Sequence, residues 1–223
     1  MIAANLDKFR KELPKHVVLV AVSKTKPVED LQQAFDAGQR IFGENKVQEM
    51  LAKWEVLPKD IEWHFIGHLQ RNKVKYLAPF VSLIHGVESF RLLKEINKQA
   101  LKSNRIIDVL LQFYIADEET KFGLTAKEAD FLLCSEEFKI LNNIRIRGVM
   151  GMATFTKDQE KIKGEFQKLK KIYDALKENH FSSDGNFDII SMGMSGDYKT
   201  AIDEGSTMVR IGSGRHVDSN GRR

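Results

Sequence analysis

The chain has 223 residues, a formal net charge of +4 and one cysteine, Cys134. The length allows a large core, the small positive charge gives little support to a nucleic-acid or membrane partner, and one cysteine excludes an internal disulfide framework. The first fifteen residues carry charges throughout, and no apolar run approaches the roughly 20 residues that a membrane-spanning helix needs, so we expect a soluble, cytoplasmic protein.

Short apolar runs alternate with segments of helical apolar spacing along the chain. An amphipathic helix is predicted at residues 1–13, before the first strand at 17–23. Gly38 is placed to end the second helix, Asn45 to cap the third, and Ser89 and the pair Thr125 and Glu128 to cap later ones. Further helices are predicted at 28–37, from Asn45 to 54, and at 72–78, 90–100, 125–137, 158–180 and 197–204. Further strands are predicted at 40–43, 61–67, 81–85, 106–114, 144–150, 187–192 and 207–211.

This order of elements predicts the fold class. Strict alternation of strands and helices implies a parallel sheet with right-handed crossovers, and eight such units fit a closed barrel. We predict an α/β protein, a single (β/α)₈ TIM barrel with an extra N-terminal helix over residues 1–212, and a polar, disordered tail at 213–223. A doubly wound open sheet is the alternative, but no G-x-G-x-x-G segment follows the first strand to favour it.

Lys24 stands at the end of the buried first strand, where the active site of such a barrel lies. Strand parity places Lys24 on the same inward face as Val18, Val20 and Val22. An ammonium group at this point needs solvation or a chemical role. A lysine that simply reaches solvent from the strand end is the commoner situation.

Glycine-rich turns flank the last two strands. Ser195 lies between Gly193 and Gly196 after the seventh strand, the segment GST at 205–207 precedes the eighth, and Gly212 follows it. Each turn alone is a weak signal. Phosphate sites are nevertheless frequent after strands seven and eight of this fold. A phosphate site opposite a lysine suggests pyridoxal 5′-phosphate (PLP), whose aldehyde condenses with an amine.

Five motifs support this interpretation by resemblance. They are AVSKTKP at 21–27, FGEN at 42–45, WHFIG at 63–67 with LQ at 69–70 and NK at 72–73, SMGMS at 191–195 and GSTMVRIG at 205–212. In this order they closely resemble the YggS/PROSC family of pyridoxal-phosphate homeostasis proteins, which is related to the N-terminal barrel of bacterial alanine racemase. The family usually continues with an apolar Ile-Phe-Gly segment, whereas this chain continues with a polar one. This departure leaves open how the barrel closes after the eighth strand and whether the tail affects PLP binding.

The resemblance implies a role for each matching residue. Lys24 corresponds to the Schiff-base lysine, Arg210 to the arginine near the pyridine nitrogen, and Asn45 to a residue close to the cofactor. The implied phosphate site comprises Ser195, Ser206, Thr207 and the backbone of Gly212. Parity places Arg210 inside the barrel with Met208, where its guanidinium needs an acceptor such as the pyridine nitrogen.

The family resemblance implies a PLP carrier or regulator, with no strong catalytic cycle. Its partners would be PLP and PLP-dependent apoenzymes, with no nucleic acid or membrane, and the protein would be a monomer. One alternative is an amino-acid racemase, which in alanine racemase needs a tyrosine from a separate C-terminal domain. The tyrosines at 76, 114, 173 and 198 lie in no matching motif. The other alternative is a lysine-imine aldolase acting on a sugar phosphate, which would not require Arg210.

The sequence predicts no metal site. His64 and His68 are four residues apart, but on a strand this spacing separates them by about 13 Å. No cysteine or carboxylate joins them in the sequence. Cys134 is expected to pack against a helix core as a small apolar side chain.

Overall fold

A computed structural model describes residues 2–116 and 122–212. These residues form eight strands in a closed barrel whose order follows the chain. The strands are β1 (Val18–Val22), β2 (Ile41–Glu44), β3 (Glu62–Phe65), β4 (Leu83–Val87), β5 (Ile107–Gln112), β6 (Ile144–Met150), β7 (Ile189–Met194) and β8 (Met208–Ile211). All neighbouring pairs are parallel, and β1 pairs with β8 to close the barrel.

Helices surround the barrel. They are α1 (Ile2–Glu12), α2 (Val28–Asp36), α3 (Val47–Val56), α4 (Val74–Leu77) after a 3₁₀ turn at Arg71–Lys73, α5 (Phe90–Lys102), α6 (Ala126–Cys134), α7 (Glu136–Lys139), α8 (Gln159–His180) and α9 (Tyr198–Asp203). None of the helices described is long and apolar enough to cross a membrane. The predicted (β/α)₈ barrel with an extra first helix is confirmed. The predicted tail at 213–223 lies outside the described residues.

Most predicted caps are confirmed. Gly38 follows α2 with a φ of +89°, the Ser89 hydroxyl accepts a hydrogen bond from the Leu92 amide, and Thr125 forms a reciprocal capping box with Glu128. The Asn45 cap is wrong, because Lys46 occupies the N-cap position of α3, where no side-chain cap bond is found among the described residues.

Two further corrections concern the predicted helix at 125–137 and the fourth strand. That helix is divided, since α6 ends at Cys134 and the Ser135 hydroxyl caps α7. Cys134 is exposed rather than packed against a core. The fourth strand begins two residues later than predicted, at Leu83.

Apolar side chains form two layers on either side of the barrel wall. The inner cluster contains Val20, Leu83, Leu110, Met150 and Met208. A larger cluster lies between strands and helices, and each fully buried Leu or Phe there contributes about 1.5–3 kcal/mol to folding. Along β8 the predicted parity is confirmed, because Met208 belongs to the inner cluster while Val209 and Ile211 pack with residues of α1 and α9.

Candidate functional site

Lys24 lies in the turn that follows β1, at the end of the barrel where the strands finish, which we call the mouth. Its side chain is exposed. The Lys26 amide donates to the Ser23 carbonyl at 3.0 Å, which closes the turn. Thr25 has a φ of +64°, a left-handed conformation that is uncommon outside glycine. The chain therefore turns sharply around Lys24.

Three charged side chains form a buried network beneath this turn. Lys53 of α3 is 5% exposed, and Glu44 at the end of β2 is fully buried. The Lys53 ammonium donates to Glu44 Oε1 at 2.7 Å, to Glu49 Oε1 at 2.8 Å and to the Ser23 carbonyl at 2.8 Å. The Ser23 hydroxyl donates to Glu44 Oε1 at 2.6 Å, and the Thr25 amide donates to Glu49 Oε1 at 2.5 Å. The network thus holds the backbone on both sides of Lys24.

The two carboxyl groups of this network differ in their surroundings. Burial raises the pKa of Glu44, and hydrogen bonds from Lys53 and Ser23 only partly oppose it. Burial also acts on the pKa of Glu49, but hydrogen bonds from Lys53 and from the Thr25 amide outweigh it and lower that pKa. Glu44 Oε2 is buried and has no hydrogen-bond partner among the described residues. Glu49 is therefore the more favourable counter-ion for Lys53.

Ser195 and Gly212 meet at the mouth beyond β7 and β8. The Ser195 hydroxyl accepts from the Gly212 amide at 3.2 Å and lies 3.4 Å from the Gly212 carbonyl. Ser195 is exposed, and a Cβ added to Gly196 would meet no described atom within 4 Å. The Met194 amide donates to Asp197 Oδ1 at 2.6 Å, which holds the turn. The Ser195 hydroxyl therefore faces open space, where it can donate to an anion, whereas the Gly212 and Met194 amides already donate to Ser195 and Asp197.

Ser206 and Thr207 lie elsewhere, which corrects their predicted place in the phosphate site. Both precede β8, so they belong to the opposite end of the barrel, which we call the base. The Ser206 hydroxyl is fully buried and can donate to the carbonyls of Met192 (2.7 Å), Met208 (3.0 Å) or Ile190 (3.2 Å). Thr207 Oγ1 accepts from the Ile190 amide at 2.9 Å. Their hydroxyls therefore bind backbone rather than face the mouth.

Arg210 occupies the barrel interior, as predicted. Its Nη1 donates to Ser191 Oγ at 2.6 Å and to the Ser191 carbonyl at 3.0 Å, and its Nη2 donates to the Gly151 carbonyl at 3.3 Å. Burial lowers the pKa of Arg210 to about 10, and the nearby Asp197 opposes this shift. All three acceptors are neutral oxygens. Among the described residues, the guanidinium is consequently held in place without a carboxylate in direct contact.

A chain of buried polar groups continues from Arg210 across the barrel. His85 Nδ1 lies 3.0 Å from Ser191 Oγ, and His85 Nε2 lies 3.1 Å from His64 Nδ1. Burial lowers the pKa of His64 to about 3, and burial together with His64 and Arg210 lowers that of His85. Neutral imidazoles satisfy these contacts when Ser191 donates to His85 and His85 donates to His64. Sequence reasoning missed this chain, because His85 lies within an apolar run.

Asn45 follows β2 at the mouth and is half-buried. Its backbone is closely approached by Gly67, where an added Cβ would lie 2.6 Å from the Asn45 carbonyl oxygen. The two turns after β2 and β3 therefore pack together only because residue 67 has no side chain. This contact fixes Asn45 at the mouth, on the same side of the barrel as Lys24.

Two cavities lie away from Lys24. One of about 660 Å³ is lined by His68, Glu88 and the residues after β3 and β4, and His68 is 3.2 Å from Glu88. The other, of about 320 Å³, lies at the base and includes Asp108, Arg147 and Thr207. Neither is lined by Lys24, Ser195 or Arg210 among the described residues. The candidate site around Lys24 is therefore defined by the ends of the strands at the mouth, not by either cavity.

One other group of polar side chains lies outside the barrel. Asp130 and Cys134 of α6 approach His180 at the end of α8, with ligand atoms within 4.8 Å of one another. His180 Nε2 is 2.7 Å from Asp130 Oδ1. The half-buried His180 and the exposed Asp130 therefore form a contact between α8 and α6.

Comparisons with known proteins agree with the fold and the motifs. The family described as alanine racemase, N-terminal domain, matches residues 1–218. A pyridoxal phosphate homeostasis protein of Aquifex aeolicus is 40% identical over 197 residues, covering 87% of this chain and 84% of that protein. The protein of the same name from Escherichia coli is 36% identical over 226 residues, covering 95% and 94%.

Solved structures show the same relationship. PipY of Synechococcus elongatus, solved with PLP bound, has a TM-score of 0.85 and 32% identity, covering 95% of this chain and 98% of that one. The alanine racemase of Clostridium difficile, at 16% identity and a TM-score of 0.73, shares the fold over 54% of its length. The chain belongs to the alanine racemase N-terminal domain family and, within it, to the pyridoxal phosphate homeostasis proteins.

Proposed function

We propose that this protein binds PLP as a Schiff base to Lys24 and acts in PLP homeostasis as a carrier or regulator. The observation that carries the proposal is the closure of the barrel between β1 and β8. This pairing sets Val20 beside Arg210, and an added Cβ on Gly212 would lie 3.5 Å from Val22 Cβ. Lys24 follows Val22 by two residues, so its backbone lies at the same end of the barrel as Gly212, beyond the level of Arg210.

The side chains at this mouth fit the chemical groups of the cofactor. The aldehyde of PLP condenses with a primary amine with loss of water. Lys24 offers an exposed amine. The exposed Ser195 hydroxyl can donate a hydrogen bond to a phosphate, and Arg210 is held inside the barrel by neutral oxygens, so its charge remains available to the pyridine nitrogen.

The tyrosines support a carrier rather than a racemase. Tyr173 donates to the Phe187 carbonyl before β7, and Tyr198 contacts Glu12 of α1. Lysine ammonium groups lie over the rings of Tyr76 and Tyr114, the latter from Lys168 of α8. Tyr173 is thus bound at the base, and the other three tyrosines contact side chains of helices, although Tyr114 and Tyr198 follow β5 and β7 at the mouth. A missing general acid or base typically lowers a rate by about 10²–10⁴.

We also propose that the protein is a cytoplasmic monomer and that it transfers PLP to PLP-dependent apoenzymes. The open surroundings of Lys24 and Ser195 support transfer, since both side chains are exposed. Release by hydrolysis of the Schiff base would need access of water to Lys24 Nζ, which this exposure provides.

Borohydride reduction after incubation with PLP tests the covalent bond. The protein is expected to carry one pyridoxyl group on Lys24, located by mass spectrometry, and to lose it in Lys24→Ala. Lys94→Ala, which removes an exposed lysine paired with Glu137, is the matched control and should remain labelled. A reduced adduct on another lysine with Lys24 unmodified would refute the assignment.

Deuterium exchange at Cα of L-alanine tests the carrier role. Protein saturated with PLP is expected to exchange deuterium little faster than free PLP at equal concentration. Exchange at ordinary enzyme rates, on the order of 1 s⁻¹ or faster, would favour the racemase instead.

A further inference from the structure

We infer that Glu49 and Lys53, with Glu44, are positioning residues that select Lys24 rather than Lys26 as the amine for PLP. This inference rests on the proposed function and deepens it. Lys24 and Lys26 lie two residues apart in one turn and carry the same reactive group. Lys24 is exposed and Lys26 half-buried. Since their chemistry is identical, the fold must decide which amine reaches the mouth.

The neighbours of Lys24 are both tied to the network. Ser23 is held through its hydroxyl by Glu44 at 2.6 Å and through its carbonyl by Lys53 at 2.8 Å. Thr25 is held through its amide by Glu49 at 2.5 Å. Hydrogen bonds hold residues 23 and 25 on either side of Lys24. They therefore fix the direction of the Cα–Cβ bond of Lys24.

Lys53 has no donor left for any other role. An ammonium group has three N–H donors, and Lys53 directs one each to Ser23, Glu44 and Glu49. Charge-assisted bonds of this kind are stronger than neutral ones. The network therefore joins the ends of β1 and β2 to α3.

Within this network, Glu49 is the residue that holds the backbone of Thr25. Thr25 adopts the left-handed conformation, which a residue with a Cβ leaves readily unless it is held there. The amide bond to Glu49 holds it. Without that acceptor the turn would relax, and Lys26 could then approach the mouth in place of Lys24.

The test measures the ratio of pyridoxyl adducts on Lys24 and Lys26 after borohydride reduction. Glu49→Ala removes the acceptor for the Thr25 amide, whereas Glu49→Gln keeps an oxygen there. Loss of a hydrogen bond to a charged group should reduce the Lys24 to Lys26 ratio about tenfold in Glu49→Ala, with a smaller change in Glu49→Gln. Lys94→Met, which breaks an exposed ion pair, should leave the ratio unchanged.

Amide exchange in the ligand-free protein gives a second readout. Exchange of the Thr25 amide is expected to be about tenfold faster in Glu49→Ala than in the wild type or Glu49→Gln. If Lys53→Met fails to fold because the buried Glu44 and the half-buried Glu49 lose their cation, the double variant Glu44→Gln/Lys53→Met removes that charge imbalance. It should show the same loss of selectivity.

The outcomes separate this inference from the proposed function. A wild-type protein without any pyridoxyl adduct would refute the proposed function, and Thr25 exchange would still decide whether Glu49 holds the turn. A wild type labelled on Lys24, with the same adduct ratio in Glu49→Ala, would refute the selection by Glu49 alone. An unchanged rate of exchange of the Thr25 amide in Glu49→Ala would show that the hydrogen bond to Glu49 does not hold the turn.

Discussion

The two ends of the barrel use their charges differently. At the base, Arg147 donates to Asp108 at 2.8 Å, to Asp188 at 2.9 Å and to the Asn186 carbonyl at 2.8 Å. At the mouth, Arg210 donates to neutral oxygens, and Lys24 points toward solvent. Lys53 is also paired at the mouth, with Glu44 and Glu49, so the difference lies in Arg210 and Lys24, which have no carboxylate within hydrogen-bond distance among the described residues and can attract a ligand.

The same contrast applies to the hydroxyl groups. Ser206 lies buried among backbone carbonyls, whereas Ser195 is exposed and contacts only the backbone of Gly212 in the hydrogen bonds found among the described residues. These two serines lie in turns at opposite ends of the barrel and therefore have different surroundings. Experiments that change one end while leaving the other intact can separate stability from ligand binding.

The largest expected effect is on the pH dependence of stability, and it comes from the buried histidines between the two ends of the barrel. His64 has a pKa of about 3 in the folded state against 6.5 for a free imidazole, so the unfolded chain binds a proton that the folded protein excludes. The contribution of His64 to stability is then present above pH 6.5 and is lost as the pH falls below that value. From pH 7 to pH 5 the free energy of unfolding should fall by about 2 kcal/mol for His64, with His85 acting in the same direction.

Urea unfolding at both pH values checks this prediction. His64→Gln should lose about 2 kcal/mol less than the wild type between pH 7 and pH 5. Glu44 acts in the opposite direction, because its raised pKa means that its contribution declines as the pH rises. Equal losses in the wild type and His64→Gln would contradict the prediction, because they would show that folded and unfolded chains bind the same number of protons at His64.

Ser206→Ala should affect stability and leave PLP binding intact. The change removes the hydroxyl donor that three buried carbonyls surround. The hydroxyl has one proton to donate, and leaving one of these buried carbonyls unsatisfied costs about 1–3 kcal/mol, which urea unfolding would measure. PLP affinity per folded molecule should stay within error of the wild type. A tenfold weaker affinity with unchanged stability would instead restore Ser206 to the phosphate site.

The fold could be predicted because its signals are local. Eight alternations of strand and helix are visible in the apolar pattern, and the length of the chain leaves few other arrangements. The placement of Ser206 and Thr207 failed because a motif that spans a whole strand contains residues from both ends of the barrel. Strand direction resolves this, since residues before β8 lie at the base and Gly212 after it lies at the mouth.

The network beneath Lys24 could not be predicted in the same way. Glu49 and Lys53 stand four residues apart on α3, the spacing of an ordinary surface ion pair. Only the packing of α3 against the ends of β1 and β2 buries Lys53 and brings it to Glu44. The contact depends on tertiary geometry. The roles of Lys24, Asn45, Ser195, Arg210 and Gly212 toward PLP remain predictions of the motifs.

Ser195→Ala should produce the smallest change in stability, and its effect on PLP binding should be confined to the mouth. Its hydroxyl is exposed, so the free energy of unfolding should change by less than about 0.5 kcal/mol. A hydrogen bond to a charged phosphate contributes about 1.5–3 kcal/mol, so PLP affinity should fall at least about tenfold, as measured by equilibrium titration. Pyridoxal, which lacks the phosphate, should bind Ser195→Ala and the wild type equally. Equal losses for PLP and pyridoxal would place the phosphate away from Ser195, and the contrast between the two serines would then no longer explain ligand binding.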